Sequence, residues 1–334
     1  MKAACKGLAG FLLWGLVLAG IPAFAEIAEP PPVPGLSKSH DAVALLKQAR
    51  RVLWIGAHPD DEASLPGILA RVKDYGGTVY LVSVTSGENS YVLWSGLQRG
   101  SQIGSARERL FVQSGRVLHG DEAEVGPFTN GPTVRTVLDG WLSTVPYADW
   151  PAGTRADDVI ERWRQEGDPL GYVVGVVRKF RPDVVVAMDG HCGVSGHPEH
   201  RAVGKLLTQA VPLASDRAAY SDRGEPWKVH GLLFNARVLP EVVACEYCQC
   251  EGDSLPEPME ELSTLEPSSY YGTTYWGVGC RVMRTYETVM LERGWTRDDI
   301  DEQCALEEGV VQAEARAGRS RPDFADVVRV RPIQ

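Results

Sequence analysis

Residues 52–62 read VLWIGAHPDDE, and they are the strongest indication of the fold in the sequence. Its first part, residues 52–57, is a nearly unbroken apolar run of strand length, which is typical of a strand buried on both faces of a parallel sheet. Charged residues and a proline follow it at once. Similar patterns predict strands at 78–85, 183–188 and 229–234, and helices at 41–50, 64–73, 105–118, 158–179 and 198–210.

These strands and helices alternate along the chain, which implies right-handed crossovers between parallel strands. We predict a Rossmann-like α/β fold of three layers, an open and mostly parallel sheet with helices on both faces. The α/β domain would span residues 39–235. Residues 121–163 mix prolines, glycines and tryptophans and are interpreted as an insertion. Residues 236–334 are interpreted as a loop-rich, cysteine-containing extension packed on the same domain.

The amino terminus has the features of a secretory signal peptide. Two lysines precede an apolar run at 8–21, and residues 23–25 read Ala-Phe-Ala, a small-x-small cleavage site. The run is shorter than the roughly 20 residues that a spanning helix needs, which disfavours a membrane anchor. We therefore expect removal of residues 1–25, a proline-rich lead-in at 26–38, and an exported protein, periplasmic or secreted, without a membrane span.

The net charge argues against one class of partner. The formal charge is −10 at pH 7, whereas a protein that binds nucleic acid normally needs a basic face. The 334 residues are 44% hydrophobic and 23% charged, which is typical of a globular protein. We expect a folded protein that does not bind nucleic acid.

The meaning of the cysteines depends on export. Cys5 lies in the predicted signal peptide, which leaves six of the seven cysteines in the mature chain. An even number in an oxidising compartment indicates disulfides, with the pairing left open. The alternative is a second metal site at Cys245, Cys248 and Cys250. The other candidates for disulfides are Cys192, which lies in the loop after strand 183–188, Cys280 and Cys304.

Two clusters of histidine and carboxylate follow two of the predicted strands. The first is HPDDE at 58–62 and the second is SGHPEH at 195–200. Because ligands bind outside the carboxyl ends of the strands in an open parallel sheet, both clusters are expected at one edge. Imidazole and carboxylate suit Zn²⁺, and a catalytic site keeps three protein ligands and a water. Either cluster alone could simply cap the next helix, but two at matching strand ends favour a metal site. The candidate residues are His58, Asp60, Asp61, His197 and His200.

Three motifs together resemble the LmbE/PIG-L family, zinc-dependent deacetylases of N-acetylglucosaminyl compounds. They are AHPDDE at 57–62, TSGE at 85–88 and GHPEH at 196–200. The resemblance covers about residues 50–120 and 180–205. AHPDDE after a strand is highly specific, whereas TSGE alone is weak.

The resemblance implies a role for each residue of the two clusters. His58, Asp61 and His200 would bind one catalytic Zn²⁺. Asp60 would be the general base that takes a proton from the metal-bound water, which is the nucleophile. His197 would polarise the amide carbonyl, stabilise the oxyanion and help the amine to leave.

Further positions carry over less directly. The resemblance places Glu88 and Arg107 against the sugar, although Arg107 could equally be a solvated helix residue. Three positions depart from the pattern of the family. Ser195 stands where some members have Tyr, Glu199 where Asp is frequent, and Leu110 where a carboxylate is usual.

We predict an exported zinc-dependent hydrolase that removes an acetyl or other acyl group from the amine of an N-acetylglucosamine-type sugar or glycoconjugate. Two alternatives are a zinc amidase of a larger conjugate and a catalytically silent carbohydrate-binding protein. The complete set of clustered residues argues against the second, because a binding module needs no base. The aromatic residues of segment 268–276 could stack on sugar or form a packed loop. The same two alternatives apply to the tryptophans of the insertion 121–163.

Overall fold

The structure is a computed structural model. It describes residues 41–90, 97, 99–132, 137–138, 141–142, 148–237, 249–252, 259–287, 297, 304 and 325–333. The expected signal peptide and lead-in, together with Cys245 and Cys248, lie outside these residues. Among the helices in the described ranges, none is long and apolar enough to cross a membrane.

A central seven-stranded sheet organises the described residues. The strands of the structure are β1 (Arg51–Gly56), β2 (Thr78–Thr85), β3 (Glu122–Phe128), β4 (Val137–Leu138), β5 (Trp141–Leu142), β6 (Val184–Met188), β7 (Gly231–Asn235), β8 (Met259–Ser263), β9 (Pro267–Ser268), β10 (Thr273–Thr274) and β11 (Ala325–Pro332). The order in the large sheet is β3-β2-β1-β6-β7-β11-β8. Strands β3 to β7 of this order pair in parallel, and β11 pairs antiparallel with both β7 and β8.

Helices cover both faces of the sheet. They are α1 (Ala42–Gln48), α2 (Pro66–Asp74), α3 (Ser101–Val117), α4 (Ala156–Arg164), α5 (Pro169–Phe180), α6 (Pro198–Ser215) and α7 (Tyr275–Thr285). One hydrophobic cluster lies between the sheet and α1, α2, α3 and α7, and a second lies between the sheet and α4, α5 and α6. The predicted α/β fold is confirmed.

Strand β1 shows why its sequence is apolar at every position. Val52 and Trp54 belong to the first cluster, and Leu53 and Ile55 to the second. All four are fully buried. An alternating pattern would expose one face of the strand, so a strand between two helical layers needs a continuous run.

The elements differ from the prediction in three places. The expected insertion contains a strand of the large sheet, because β3 pairs with β2. The expected extension contributes α7, β8 and β11, and the strands β8 and β11 complete the large sheet. The helix predicted at 158–179 is divided into α4 and α5, since Asp168 caps α5 by accepting from the Gly171 N–H at 2.9 Å.

The strand order places the topological switch point between β1 and β6. From β1 the chain continues outward to β2 and β3, whereas from β6 it continues to β7 on the other side. Strands β1 and β6 are direct neighbours, with Val52 opposite Val184. The segments that leave their carboxyl ends therefore lie side by side, where ligands bind in open α/β sheets.

Candidate metal centre

The chain leaves β1 in a tight turn that the side chain of Asp61 closes. Its Oδ2 accepts hydrogen bonds from the backbone N–H groups of Ala57 and His58, both at 2.8 Å. Asp60 has φ 106°, a conformation that residues other than glycine rarely adopt. The turn therefore places the carboxylates of Asp60 and Asp61 in different environments, although the two residues are adjacent.

The loop after β6 is organised around the carboxylate of Asp189. Its Oδ1 accepts from the backbone N–H groups of His191 and Cys192, each at 2.7 Å, and from that of Gly193 at 3.2 Å. Gly193 has φ 53°, and a Cβ at this position would lie 2.6 Å from the Cβ of His200. Glycine therefore allows the loop to pass close to the helix that carries His200.

Three predicted ligand atoms converge at the switch point. His58 Nδ1 lies 3.1 Å from His200 Nε2, and Asp61 Oδ1 lies 3.2 Å from His200 Nε2 and 3.8 Å from His58 Nδ1. Ligands that each lie about 2 Å from a tetrahedral zinc ion are about 3.3 Å apart. The three residues are buried, with 8%, 3% and 2% exposure for His58, Asp61 and His200.

The hydrogen bonds of the two histidines make the two converging nitrogens available as ligands when the rings are neutral. His58 Nε2 lies 2.7 Å from Glu199 Oε2, and His200 Nδ1 lies 2.9 Å from the Gly193 carbonyl oxygen. Each of these contacts needs an N–H, so in the neutral rings the other nitrogens face each other unprotonated. Burial lowers the pKa of His58, but Asp61 and Glu199 outweigh it and raise the pKa to about 10. The site favours a positive charge, and its donor set fits a zinc-type cation.

Glu199 anchors the outer side of His58. It is fully buried, and its Oε1 accepts from the Gly131 N–H at 2.6 Å and from Trp150 Nε1 at 2.8 Å. The Asn130 amide donates to Oε2 at 2.8 Å. Burial raises the pKa of Glu199, but the hydrogen bond and charge of His58 outweigh it and bring the pKa to about 2. An ionised carboxylate that holds the distal N–H of a ligating histidine fixes its tautomer and orientation.

His197 lies at the same centre, with one ring nitrogen within 4.8 Å of ring nitrogens of His58 and His200. Burial and the charges of these two histidines hold the pKa of His197 well below its usual value. Its Nδ1 accepts from the Glu199 N–H at 3.3 Å, at the start of α6. The proton of the neutral ring is therefore on Nε2, which can donate a hydrogen bond.

Asp60 is fixed by two contacts. Arg107 Nη2 lies 2.9 Å from Asp60 Oδ1, and the same guanidinium donates to the Pro59 carbonyl. The Asp60 N–H donates to Glu62 Oε2 at 3.1 Å. Arg107 is only 4% exposed, so it is not a solvated helix residue. The structure shows it in contact with Asp60, the predicted base. Its predicted sugar contact stays a prediction.

Glu88 is the last residue of the TSGE motif, which follows β2, and its side chain is buried. Ser86 Oγ donates to Glu88 Oε2 at 2.7 Å, and the Asn130 N–H donates to Oε1 at 3.0 Å. Glu88 thus connects the loop after β2 to the segment that binds Glu199. Its predicted contact with substrate also stays a prediction.

The structure contains two disulfides among the described cysteines, Cys192–Cys250 and Cys280–Cys304. The first attaches residues 249–252 to the loop after β6. Disulfide pairing was one of the two interpretations of the cysteine pattern, and it holds for these four residues.

The aromatic segment 268–276 lies at the opposite edge of the sheet. The Tyr271 hydroxyl donates to the Leu118 carbonyl at 2.6 Å, and the Tyr270 N–H donates to Asp74 at 2.9 Å. Leu118 and Asp74 precede β3 and β2, whereas the predicted metal ligands follow β1 and β6. Tyr270 and Tyr271 therefore lie away from the candidate metal centre.

Sequence reasoning missed several residues that surround the centre. Asn130 had no local pattern that would indicate a function. Trp150 lies in the segment 121–163, whose tryptophans are candidates for stacking on sugar, but it is buried and donates to Glu199. In the sequence Glu199 stands out only as a departure from the family pattern, and its position next to His200 is the signal that could indicate its role.

Comparisons with known proteins agree with these motifs. Residues 53–211 match the family described as PIG-L, GlcNAc-PI de-N-acetylase. A 1D-myo-inositol 2-acetamido-2-deoxy-alpha-D-glucopyranoside deacetylase of Catenulispora acidiphila is 32% identical over 258 residues, which are 72% of this chain and 75% of the relative. The enzyme of the same name from Rhodococcus jostii is 33% identical over 231 residues, 63% of this chain and 70% of the relative.

Solved structures share the fold at low sequence identity. N,N'-diacetylchitobiose deacetylase from Pyrococcus horikoshii has a TM-score of 0.55 at 15% identity and covers 87% of both chains. A deacetylase of teicoplanin biosynthesis has a TM-score of 0.51 at 16% identity, over 85% of this chain and 99% of that chain.

Proposed function

This chain belongs to the PIG-L family of deacetylases that act on N-acetylglucosamine derivatives, and on that premise we propose that it is an exported, zinc-dependent N-deacetylase. The observation that carries the proposal is the convergence of His58 Nδ1, Asp61 Oδ1 and His200 Nε2. These atoms would hold the ion. When bound, zinc supplies a Lewis acid that acidifies water and polarises a carbonyl.

Two further residues supply the proton chemistry of hydrolysis. Asp60, held by Arg107 at 2.9 Å, takes a proton from the water that attacks the amide carbon. His197 donates from Nε2 to the amide oxygen as negative charge develops there, which lowers the barrier electrostatically. A neutral ring can do this, so the low pKa of His197 is compatible with the role. Asp60 then delivers the proton that it took from water to the amide nitrogen as the C–N bond breaks, which gives acetate and a free amine and regenerates the base.

The substrate class follows from the relatives. Two of them are named for the deacetylation of an N-acetylglucosaminyl inositol, and we propose an amino sugar or glycoconjugate with an equatorial acetamide as substrate here. The signal-peptide features of residues 1–25 support export to the periplasm or beyond. Export favours glycans of the envelope as the source of the substrate.

The decisive experiment measures acetate release by the mature chain from residue 26. The substrates are N-acetylglucosamine, its methyl glycoside, N-acetylglucosaminyl inositol and an N-acetylglucosamine oligomer. Each is assayed after chelation and after return of Zn²⁺. We expect activity that is lost with chelator and restored by zinc. Activity that survives complete removal of metal contradicts the proposal.

The base is tested with Asp60→Asn. We expect kcat to fall by roughly 10²- to 10⁴-fold, the usual contribution of general acid–base catalysis, while the bound zinc stays equal to that of the wild type. Asp222→Asn is the matched control, because the Asp222 side chain is 76% exposed and pairs only with its neighbour among the ion pairs found. Wild-type turnover in Asp60→Asn would rule out this residue as the base.

Export is tested separately by fractionation of cells. The full chain is expected outside the cytoplasm in a form that begins near residue 26, and a chain that lacks residues 1–25 is expected to stay inside. Mass spectrometry of the mature amino terminus identifies the cleavage site. A full-length chain with an intact residue 1 in the cytoplasm contradicts export.

A further inference from the structure

A buried hydrogen bond joins the C-terminal extension to the AHPDDE motif. The Tyr286 hydroxyl donates to Glu62 Oε1 at 2.5 Å, across 224 residues of sequence. Glu62 is fully buried and Tyr286 is 3% exposed. Hydroxyl–carboxylate bonds of this length are among the strong hydrogen bonds of proteins. The contact therefore fixes the direction of the Glu62 carboxylate.

The second oxygen of the same carboxylate reaches the predicted base. Glu62 Oε2 accepts the backbone N–H of Asp60 at 3.1 Å. One carboxylate thus bridges the Tyr286 hydroxyl and the Asp60 backbone.

The backbone of Asp60 has a conformation that needs support from its neighbours. Asp60 has φ 106° and ψ −17°, and a strained backbone of this kind persists only when the surroundings hold it. Glu62 holds its N–H, and Arg107 holds its carboxylate at 2.9 Å. A loss of either contact lets the side chain of Asp60 turn away from the position that it occupies beside the ligand Asp61.

We propose that Tyr286 and Glu62 are positioning residues for deacetylation, and that they act by holding Asp60 in the orientation in which it accepts the proton. The inference rests on the proposed function, since it matters only if Asp60 is the base. It assigns to the extension a part in the active site, through the turn that ends α7. Neither residue touches the substrate.

The test compares two tyrosine variants of the extension. Tyr286→Phe removes the hydroxyl and keeps the ring, and we expect kcat to fall roughly 10- to 100-fold, the range that small misplacements of a catalytic group produce. KM and zinc content are expected to stay unchanged. The control is Tyr271→Phe, because Tyr271 is also buried and its hydroxyl also donates a hydrogen bond, in this case to the Leu118 carbonyl at the opposite edge. Its kcat should equal that of the wild type, although its thermal midpoint should fall by a similar amount.

A double variant separates positioning from general loss of structure. If Tyr286 acts through Asp60, Tyr286→Phe causes no further loss in the Asp60→Asn background, whereas independent effects multiply. Wild-type kcat in Tyr286→Phe, an equal loss in Tyr271→Phe, or multiplying losses in the double variant overturn the positioning role and leave the deacetylase proposal intact. Full turnover by Asp60→Asn alone removes the base, and the positioning role with it.

Glu62→Gln provides a second approach if Tyr286→Phe does not fold. The amide has nearly the same shape but only one acceptor oxygen, so either the Tyr286 hydroxyl or the Asp60 N–H loses its acceptor. It should lower kcat at constant KM and zinc content, again without further loss in the Asp60→Asn background. Unchanged kcat in Glu62→Gln counts against the proposal.

Discussion

At the scale of single residues, Glu199 fixes the ring of His58, a predicted metal ligand. All the groups around its carboxylate are donors: His58 Nε2, the amide of Asn130, the N–H of Gly131 and Nε1 of Trp150. An amide in place of the carboxylate would place an NH₂ group against N–H donors, because Gln has only one acceptor atom. His58 would then lose the acceptor that holds its Nε2–H and orients its ring.

We therefore predict that Glu199→Gln weakens zinc binding by roughly 10- to 100-fold, the range for loss of such supporting contacts. Titration against a chelating dye measures the affinity. Glu166→Gln is the control, since the Glu166 side chain is also only 8% exposed and accepts hydrogen bonds, and the partners found for it are Thr129 at 2.6 Å and Arg162 at 2.8 Å. Equal zinc affinity in the wild type and Glu199→Gln would contradict the prediction.

At this scale the sequence predicted the centre of the site and not its support. His58, Asp61 and His200 are brought together as expected, because their motifs directly follow strands whose ends must meet. Asn130 and Tyr286 come from segments without a local pattern. Their positions depend on how the chain returns to the sheet, which no short motif encodes.

At the scale of elements, helix α2 is capped by a residue from the other end of the chain. Its N-cap residue, Leu65, has no side chain that can accept a hydrogen bond. Asp326 on β11 does so instead, since its Oδ2 accepts the N–H of Ile68 at 2.5 Å. A cap from a distant strand explains why the local sequence placed the start of this helix imprecisely.

Asp326 makes stability depend on pH. Burial raises its pKa to about 7, against the opposing effects of the Ile68 and Gly67 N–H groups and of the charges on Arg71 and Arg237. In the unfolded chain the pKa is about 3.9. The folded state therefore binds more protons between these values, and the contribution of this group is complete below pH ~4 and is lost as the pH rises towards 7.

We predict that Asp326→Asn removes this part of the pH dependence. Between pH 5 and pH 8 the free energy of unfolding of the wild type should decline relative to the variant, by a few kcal/mol at most. Urea unfolding of both proteins at each pH measures the difference, in which all other titrating groups cancel. Parallel curves for the two proteins would show that Asp326 does not titrate in this range.

The same scale shows which elements could be predicted. Strand β1 and strand β6 are buried on both faces and read as apolar runs. Strand β3 is only partly buried and reads EAEVGPF, and β11 alternates buried and half-buried residues near the end of the chain. Edge and antiparallel strands of this kind lack a strong apolar signal, which explains why the sheet was predicted with fewer strands than it has.

At the scale of the whole molecule, the extension is connected to the metal centre by a covalent link. The Cys192–Cys250 disulfide joins residues 249–252 to the loop whose Gly193 carbonyl orients His200. Two backbone hydrogen bonds run beside it, from the Gln249 N–H to the Gly196 carbonyl at 3.0 Å and from the Glu251 N–H to the His191 carbonyl at 2.8 Å. The loop is thereby held from both sides, by the sheet and by the extension.

The two disulfides should therefore differ in what they affect. Cys192 and Cys250 are 58 residues apart, and Cys280 and Cys304 are 24 apart, so loop-closure entropy gives each a stabilisation of about 3–4 kcal/mol. We predict that Cys192→Ser/Cys250→Ser lowers both stability and zinc affinity, the latter about tenfold, as for other losses of support to a ligand. Cys280→Ser/Cys304→Ser should lower stability and leave zinc affinity unchanged, because Cys280 lies on α7, away from the loop that follows β6.

Equilibrium unfolding and zinc titration of both double variants under non-reducing conditions measure the stability and the zinc affinity. If Cys192→Ser/Cys250→Ser binds zinc with the affinity of the wild type, the extension stabilises the fold without holding the metal site.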